Sequence, residues 1–316
     1  MDKLDKISII GAGSWGTALG CLAARSAREV MIYSNDPAIT YEINSSCRNT
    51  KYFNDTELHE NLIATSQIKD TLKADIIILA IPSYAFSEIL ELLKSHGLKP
   101  STILLIATKG LSENPVQFLS DKIESEFENP YAFISGPNMA LEVVRNKFTA
   151  MTISSKDLSL AAKLADVFKS DMLDVTISDD IITIQIASIV KNIIAIRSGI
   201  MKSAGDGENA KAWLISTALA EISIISKALG GKPEANIALP AVIGDLVLTC
   251  YSDISRNTRF GYEFHTHNYS KEFLTTYPLL VEGISSARLL GSLIKTYDLE
   301  LPLISSIIDL LHVNYS

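Results

Sequence analysis

The 316-residue sequence contains only three cysteines, Cys21, Cys47 and Cys250, and no Cys-x-x-Cys pair. A set this sparse, odd in number and widely spaced gives neither a disulfide framework nor a zinc site, and it fits reduced thiols in a cytosolic protein. The five histidines show no His-Glu-x-x-His spacing. We therefore expect no bound metal and a cytoplasmic location.

No run of lysine and arginine is present either, and the formal net charge is -8 at pH 7. This balance argues against nucleic-acid binding, although a local basic pocket could still hold an anion. The apolar stretch over residues 181–200 carries Lys191 and Arg197, so we interpret it as a buried helix and expect no membrane span. The stretch that begins at Ile7 resembles a signal peptide only in outline, because two aspartates cancel the charge before it and three glycines interrupt it.

Short apolar runs alternate with helical patterns over the first part of the chain. Six continuous runs, of the kind that parallel sheets bury on both faces, are KISII, EVMIYS, NLIAT, ADIIILAIP, TILLIATKG and YAFISG. FTAMTISS and LDVTIS predict two further strands. Helical patterns such as SYAFSEILELLKSHG and NPVQFLSDKIESEF lie between several of the runs. The alternation predicts a doubly wound α/β sheet.

The pattern changes near residue 178. The segments ENAKAWLISTALAEISIISKALGG, VEGISSARLLGSLIKTYDL and PLISSIIDLLHV have helical spacing, and no convincing strand pattern follows. We predict an α/β domain over residues 1–178 and an all-helical domain over residues 179–316.

The sequence GAGSWG directly follows the strand KISII and opens a helix. Gly11 permits a tight turn, Gly13 lets a pyrophosphate approach the backbone, and Gly16 allows close packing of helix on strand. The helix N-terminus offers oriented N–H groups to phosphates. In this strand–turn–helix context the motif indicates a Rossmann-type dinucleotide-binding domain.

The second strand ends in YSND, near the place where an acidic residue would bind the ribose of NAD. Asp36 is available there, but Asn35 is an alternative ribose contact, and Asp36-Pro37 is equally typical of a helix or turn start. No arginine at this position indicates a 2′-phosphate site. NAD and NADP both remain open as the cofactor.

Two other loops follow predicted strands, where ligands of open α/β sheets collect. Lys109 of ATKGL could contact a phosphate or carboxylate, or it could be an ordinary exposed lysine. Gly136 of ISGPNMALEV shapes the second loop, and Asn138 either caps the next helix or binds a ligand.

An isolated lysine, Lys191, lies in the apolar helical stretch IQIASIVKNIIAIRSGI. Its charge is costly to bury unless it is paired or its pKa falls. One interpretation is that the side chain reaches the surface from the helix. The other pairs it with Asp245 of GDLVLTC, which otherwise would serve only as an N-cap.

The segment SRNTRFG places Ser255, Arg256, Asn257 and Arg259 at a predicted helix start. Ser255 could be a simple N-cap and both arginines solvated. A hydroxyl, a guanidinium and an amide at a helix N-terminus would equally form a phosphate site.

Taken in order, GAGSWGTAL, ATKGL, SGPNMALEV, VKNIIAI, ENAKAWLIS, GDLVLTC, SRNTRFG and VEG resemble the bacterial-type NAD(P)-dependent glycerol-3-phosphate dehydrogenases over nearly the whole chain. The combination of VKN, GDLVLTC and SRNTRFG is the specific part. The resemblance implies reversible reduction of dihydroxyacetone phosphate to sn-glycerol 3-phosphate for phospholipid synthesis, and a homodimer through the helical domain.

The resemblance also assigns roles to residues. Lys191 is the catalytic acid/base and acts with Asp245. The positions implied for the phosphorylated substrate are Lys109, Gly136, Asn138, Lys191, Asp245, Ser255, Arg256 and Asn257. The positions implied for the dinucleotide are Gly11, Gly13, Ser14, Trp15, Gly16, Asn35, Lys109, Ala140, Arg256, Leu280 and Glu282. Asn138 stands where the family usually has serine or threonine.

Two other functions are weighed against this one. Another two-domain hydroxyacid dehydrogenase would also carry a lysine in its helical domain, but SRNTRFG and GDLVLTC suit a phosphorylated polyol. A nonenzymatic NAD(P)-binding sensor would bind the dinucleotide without turnover, and it would have no need of Lys191, Asp245 or the SRN cluster.

Overall fold

A computed structural model describes residues 4–27 and 29–311 of the protein. The chain forms two compact units. The first unit runs to Thr108 and resumes over Leu119–Asp179, and the second comprises Lys109–Phe118 and the chain from Asp180 onward. The chain crosses between the units three times, and the last crossing, after Asp179, lies close to residue 178. No sequence pattern indicated that the ten-residue segment Lys109–Phe118 belongs to the second unit.

The strands found in the described residues are β1 (Lys6–Ile10), β2 (Glu29–Tyr33), β3 (Leu62–Thr65), β4 (Ile76–Leu79), β5 (Ile103–Ile106), β6 (Leu111–Glu113), β7 (Val116–Phe118), β8 (Tyr131–Ser135), β9 (Thr149–Ser154) and β10 (Leu173–Ser178). Eight of them form the sheet of the first unit in the order β10-β9-β8-β5-β4-β1-β2-β3. The β-branched runs lie in this sheet, and β4 and β5 are buried along their whole length because helices cover both faces of such sheets. The eight predicted strands and the doubly wound fold class are confirmed.

One pairing in the sheet is antiparallel. All neighbouring strands run parallel except β8 and β9, which pair through Ile134 and Ile153. The helix between them, Ala140–Val144, has five residues and rises only about 7 Å, less than half of the roughly 16 Å that a five-residue strand spans. The connection therefore lacks the full crossover helix that usually joins parallel neighbours, and β9 and its parallel neighbour β10 run in the opposite direction to β8.

The helices of the first unit are α1 (Ser14–Ala24), α2 (Pro37–Ser46), α3 (Thr50–Phe53), α4 (Phe86–Ser95), α5 (Leu119–Glu126), α6 (Ala140–Val144) and α7 (Leu158–Phe168), with 3₁₀ turns at Ile68–Lys73 and Ser83–Ala85. Helix α1 is rich in small residues and almost wholly buried, so it can lie close to the sheet. Aspartate side chains cap α2 and α7, where Asp36 and Asp157 accept the N–H groups of Ala38 and Ser159.

The segment Lys109–Phe118 folds differently from the prediction. A helix was predicted over residues 114–127, but Val116–Phe118 pairs antiparallel with Leu111–Glu113 in the hairpin β6–β7. Asn114 and Pro115 form its turn, and they are residues typical of turns. The helical pattern is correct only from Leu119 onward. Within the second unit, Glu113 of the hairpin bonds Arg288 at 2.5 Å.

The helices of the second unit are α8 (Ile181–Ala204), α9 (Glu208–Ala228), α10 (Pro233–Asn236), α11 (Asp245–Tyr251), α12 (Arg256–Thr266), α13 (Lys271–Thr276), α14 (Glu282–Thr296) and α15 (Pro302–Leu310). A π-helical turn, Pro240–Gly244, precedes α11. Helix α8 is central and packs against α9, α11, α12 and α14. Gly199 and Gly261 permit the closest of these packings, since a Cβ at either position would lie about 2 Å from a carbonyl oxygen of the facing helix.

Helix α8 has the length and composition of a membrane span, but 89% of its most apolar window is buried inside the structure. This burial is typical of the core helix of a soluble protein. The interpretation of this stretch as an interior helix is therefore supported, and Lys191 lies in its middle.

Candidate active site

The glycine turn of the first unit is shaped for a close ligand. Gly11 has φ +110°, and a Cβ on Gly16 would lie 1.9 Å from the carbonyl oxygen of Gly11. By contrast, a Cβ on Gly13 would have nothing within 4 Å. Helix α1 begins at Ser14 without a side-chain cap. The N–H groups of its first turn therefore have no side-chain cap, and the uncapped start of a helix suits the diphosphate of a dinucleotide.

The two candidate ribose contacts at the end of β2, Asp36 and Asn35, differ in their surroundings. Asp36 is the N-cap of α2, and its second carboxylate oxygen lies 3.2 Å from Lys51 Nζ. This ammonium and the Ala38 N–H lower the pKa of Asp36. Asn35 beside it is exposed. The helix-start interpretation of Asp36-Pro37 is confirmed, and Asn35 is the freer of the two side chains.

The loop after β8 holds the remaining predicted residues of the first unit, and Asn138 does not cap the helix that follows. The N-cap position of α6 is Met139, whereas Asn138 Nδ2 donates to Thr149 Oγ1 at 2.6 Å and to the carbonyl of Ala150 at 3.0 Å. The capping interpretation was therefore wrong. A Cβ on Gly136 would lie 2.4 Å from the Ala150 carbonyl oxygen, so this loop lies close against β9.

In the second unit, Asp245 accepts hydrogen bonds from two lysines. Its Oδ1 is bonded by Lys191 Nζ from the middle of α8, and its Oδ2 lies 3.0 Å from Lys109 Nζ at the start of the hairpin segment. Side-chain exposure is 2% for Asp245, 10% for Lys191 and 19% for Lys109. Asp245 is the first residue of α11 and does not cap it. The N-cap interpretation of Asp245 and the surface interpretation of Lys191 were both wrong.

Burial and charge together set the protonation of this cluster. Burial lowers the pKa of Lys191 to about 7, with the Lys109 charge adding to the fall and Asp245 opposing it. Burial alone would raise the pKa of Asp245, but the two ammonium groups overcome it and hold that pKa below its usual value. For Lys109, the attraction of Asp245 overcomes burial and raises the pKa. Of the three groups, Lys191 therefore has the pKa closest to neutrality.

A second network lies beside this cluster in the same unit. Asn257 Nδ2 donates to Asn192 Oδ1 at 2.9 Å, and Asn257 Oδ1 accepts the Gly283 N–H at 3.0 Å. Glu282, the first residue of α14, lies 3.4 Å from Asn192 Nδ2 and 3.8 Å from an Arg256 nitrogen. The network joins α8, α12 and the start of α14. Asn192, which directly follows Lys191, therefore bonds two predicted residues, Asn257 and Glu282, and Glu282 lies near a third, Arg256.

Three predicted residues lie at the starts of α12 and α14. Ser255 Oγ accepts the Thr258 N–H at 3.3 Å, so the N-cap interpretation of Ser255 is confirmed. The Arg256 side chain is half exposed, and Leu280 is 47% exposed.

Thr249, which the sequence analysis missed, donates to the Asp245 carbonyl at 2.7 Å and lies 3.4 Å from its carboxylate. Its position four residues after Asp245, one helical turn along, was the available signal.

The glycine turn, the sheet and the buried lysine–aspartate pair together define an NAD(P)-dependent oxidoreductase. Two family profiles match the chain, described as the NAD-dependent glycerol-3-phosphate dehydrogenase N-terminus over residues 6–161 and C-terminus over residues 180–316. The chain belongs to the NAD-dependent glycerol-3-phosphate dehydrogenase family.

Individual relatives agree with this assignment. A Rickettsia bellii protein named glycerol-3-phosphate dehydrogenase [NAD(P)+] is 44% identical over 310 residues, which are 97% of this chain and 98% of the relative. A Rickettsia typhi protein of the same name is 42% identical over 315 residues, 99% of this chain and 98% of the relative. The crystal structure of glycerol-3-phosphate dehydrogenase from Coxiella burnetii is similar with a TM-score of 0.89 at 32% identity, covering 97% of this chain and 94% of that one.

Proposed function

We propose that the protein catalyses the reversible, NAD(P)H-dependent reduction of dihydroxyacetone phosphate to sn-glycerol 3-phosphate and so supplies glycerophospholipid synthesis in the cytoplasm. The observation that carries the mechanism is the buried Lys191, whose pKa lies at about 7 and whose partner is Asp245. The residues up to 178 would bind the dinucleotide. Those from 179 on, together with the hairpin segment that carries Lys109, would bind the substrate.

Ketone reduction needs a hydride at carbon and a proton at oxygen. The nicotinamide supplies the hydride when it is bound. Lys191 as an ammonium would donate the proton and stabilise the negative charge that develops on the oxygen. Asp245 holds the Lys191 amine in one orientation, and Lys109 on its other oxygen keeps the carboxylate ionised. In the oxidation direction, neutral Lys191 would take the hydroxyl proton.

The remaining family positions divide between the two ligands. Ser255, Arg256, Asn257 and the N–H groups at the start of α12 would bind the substrate phosphate, with Gly136 and Asn138 as further substrate positions. The dinucleotide positions would be Gly11, Gly13, Ser14, Trp15, Gly16, Asn35, Ala140, Leu280 and Glu282, shared in part with Lys109 and Arg256.

The function is tested by the loss of nicotinamide absorbance when dihydroxyacetone phosphate is added to the purified protein with NADH or with NADPH. Oxidation of either cofactor is the expected result, and the ratio of the two kcat/KM values gives the preference. A protein that binds a dinucleotide but oxidises neither would rule out the proposed reaction.

The pH dependence follows from the Lys191 pKa of about 7. A general acid must be protonated, so we expect kcat for ketone reduction to fall as the pH rises through 7, and kcat for alcohol oxidation to rise over the same range. In Lys109→Met, loss of the neighbouring positive charge raises the Lys191 pKa, because that charge lowers it in the parent. The pH at which kcat changes should then rise for both reduction and oxidation. A pH profile that stays in place for both directions would contradict the assignment of Lys191.

The phosphate assignment predicts the behaviour of Arg256→Ala. A guanidinium–phosphate contact is a charge-assisted bond, so its loss should raise the KM for dihydroxyacetone phosphate by about 10- to 100-fold. Arg259→Ala is the matched control, since both arginines lie in α12 and both side chains are 51% exposed. Equal KM values for the two variants would remove Arg256 from the phosphate site.

A homodimer is also proposed, and it is supported by an uncharged stripe on the outer face of α9. The stripe consists of Ala212, Trp213, Ser216, Ala220 and Ile224, which lie on one side of the helix at three- and four-residue spacing. Trp213 is 55% exposed and Ile224 is 45% exposed. Small residues in its centre would let a second helix approach closely.

We infer that the same stripe of a second copy is its partner. In an antiparallel arrangement centred between Ser216 and Ala220, Trp213 of each copy lies near Ile224 of the other. Glu208 and Lys227 lie at opposite ends of α9, so this arrangement brings opposite charges to the same end of the contact. Within one copy, Glu208 is paired with Lys211 and Lys227 with Glu234.

The test is the mass of the protein in solution by sedimentation velocity. The parent should sediment as a dimer and Trp213→Glu as a monomer, because a charge placed in an apolar contact is left without solvent. Tyr297→Glu, at a position of similar exposure (49%) in the turn after α14, should remain a dimer. A dimeric Trp213→Glu would place the interface elsewhere.

A further inference from the structure

Asn49 is a fully buried polar residue that no part of the proposed mechanism uses. It lies between α2 and α3 and is 0% exposed. Its Nδ2 donates to the Ala12 carbonyl at 3.1 Å and to Thr17 Oγ1 at 3.0 Å. Thr17, also 0% exposed, in turn donates its hydroxyl to the Ala12 carbonyl, with an oxygen–oxygen distance of 3.3 Å. Two buried side chains thus converge on one carbonyl of the glycine turn.

The direction of that carbonyl determines the direction of the next N–H. A trans peptide is planar, and its C=O and N–H point to opposite sides. When Asn49 and Thr17 hold the Ala12 oxygen in the interior, the Gly13 N–H must point outward. Gly13 borders open space, since a Cβ at this position would have nothing within 4 Å.

The choice of asparagine at this position indicates that its N–H donors matter. Among the buried side-chain atoms of the described residues, Asn49 Oδ1 has no hydrogen-bond partner. A buried amide with an unpaired oxygen is a costly way to fill space, and an apolar residue would pack there at lower cost. Its backbone is fixed as well, because the Asn49 carbonyl accepts the N–H groups of Tyr52 and Phe53 at 3.1 and 3.0 Å.

We propose that Asn49 and Thr17 are positioning residues that orient the Ala12–Gly13 peptide toward the diphosphate of the bound dinucleotide. Neither side chain touches the cofactor in this arrangement. Their effect on the diphosphate is exerted through the peptide that they hold. The proposal rests on the proposed function in that it takes a dinucleotide as the ligand of the glycine turn.

The first experiment measures binding of ADP-ribose by calorimetry to the full chain and to Asn49→Ala and Thr17→Val. Loss of one or two neutral hydrogen bonds that fix the peptide should raise the Kd for ADP-ribose by about tenfold in each variant. Adenosine, which has no phosphate, is followed by NMR titration, and its affinity should change by less than about twofold. Thr17→Ser keeps the hydroxyl and should restore the parent affinity for ADP-ribose.

Asn129→Ala is the matched structural control. Asn129 is a buried asparagine of the same unit, and its Nδ2 also donates two hydrogen bonds, here both to backbone carbonyls, those of Lys99 at 2.7 Å and Thr102 at 2.8 Å. We expect it to lower Tm about as much as Asn49→Ala does and to leave the ADP-ribose Kd unchanged. In steady-state kinetics, Asn49→Ala should raise the KM for the nicotinamide cofactor while kcat at saturating cofactor and the KM for dihydroxyacetone phosphate stay at parent values.

The outcomes separate this proposal from the proposed function. Parent affinity for ADP-ribose in both Asn49→Ala and Thr17→Val overturns the positioning role and leaves the enzyme assignment intact. Equal losses for ADP-ribose and adenosine overturn it too, because the effect would then not lie at the diphosphate. If Asn49→Ala does not fold, Thr17→Val, which keeps the side-chain volume, decides alone. A parent protein that does not bind ADP-ribose removes both proposals together.

Discussion

Replacing Lys191 with methionine should lower kcat for the reduction of dihydroxyacetone phosphate by about 10²–10⁴-fold, the usual contribution of a general acid. Methionine fills a similar volume in the apolar interior of α8, so the fold is retained while the proton donor and the positive charge are lost. The dinucleotide should still bind with unchanged affinity, because the glycine turn lies in the other unit. Stopped-flow kinetics and fluorescence titration with NADH measure the two quantities separately.

Lys202→Met provides the control for Lys191→Met. Lys202 lies in the same helix, but its side chain is 48% exposed and its partner Asp253 is on the surface. We expect this variant to turn over at the parent rate. Normal turnover in a folded Lys191→Met protein would remove Lys191 from the mechanism, whatever the behaviour of the control.

Asp245→Asn should affect both stability and the proton donor. The carboxylate is buried between two ammonium groups, and breaking such a pair by removing one partner costs about 3–5 kcal/mol. Asp245 also raises the pKa of Lys191 against burial, so its loss should move that pKa below 7. At pH 7, where about half of the parent Lys191 is protonated, Lys191 of the variant would then be largely neutral and unable to donate a proton. We expect kcat for reduction to fall by about 10²-fold.

Urea unfolding and the pH profile of kcat test the two parts of this prediction. The pH at which kcat for reduction falls should be lower than in the parent, opposite to the change expected in Lys109→Met. Asp253→Asn, at the exposed Lys202 pair, should leave both the unfolding midpoint and the profile unchanged. If kcat for reduction falls at a higher pH in Asp245→Asn than in the parent, the carboxylate does not face Lys191 in solution.

The sequence predicted the parts of the fold and site that depend on local pattern. Six of the eight strands of the sheet are continuous apolar runs, and the glycine spacing of GAGSWG, between a strand and a helix, indicates a dinucleotide-binding turn. Lys191 could be singled out because a charge in an apolar helix needs an explanation. Its ion pair with Asp245 was one of two open alternatives, and the structure shows that pair.

The missed features depend on contacts between distant parts of the chain. Lys109 and Asp245 are 136 positions apart, and no local pattern shows that the segment after β5 leaves the first unit. The hairpin was predicted as helix because Val116, Phe118 and the following residues have helical spacing, which a three-residue strand is too short to contradict. Asn49 and Asn192 were missed because asparagine is common in loops and caps, and only the three-dimensional partners distinguish these two.

The membership of Lys109–Phe118 in the second unit limits how this protein can be divided or recombined. A cut at residue 179 yields two contiguous pieces that look like whole modules, yet the C-terminal piece lacks the lysine that bonds Asp245 Oδ2 and the hairpin that bonds Arg288. A chimera made by exchanging C-terminal halves between relatives therefore combines a hairpin from one parent with a helical bundle from the other. Exchanges that keep contacting residues together must transfer the ten residues of the hairpin segment with the helices. The two segments that must be exchanged together are therefore not contiguous in the gene.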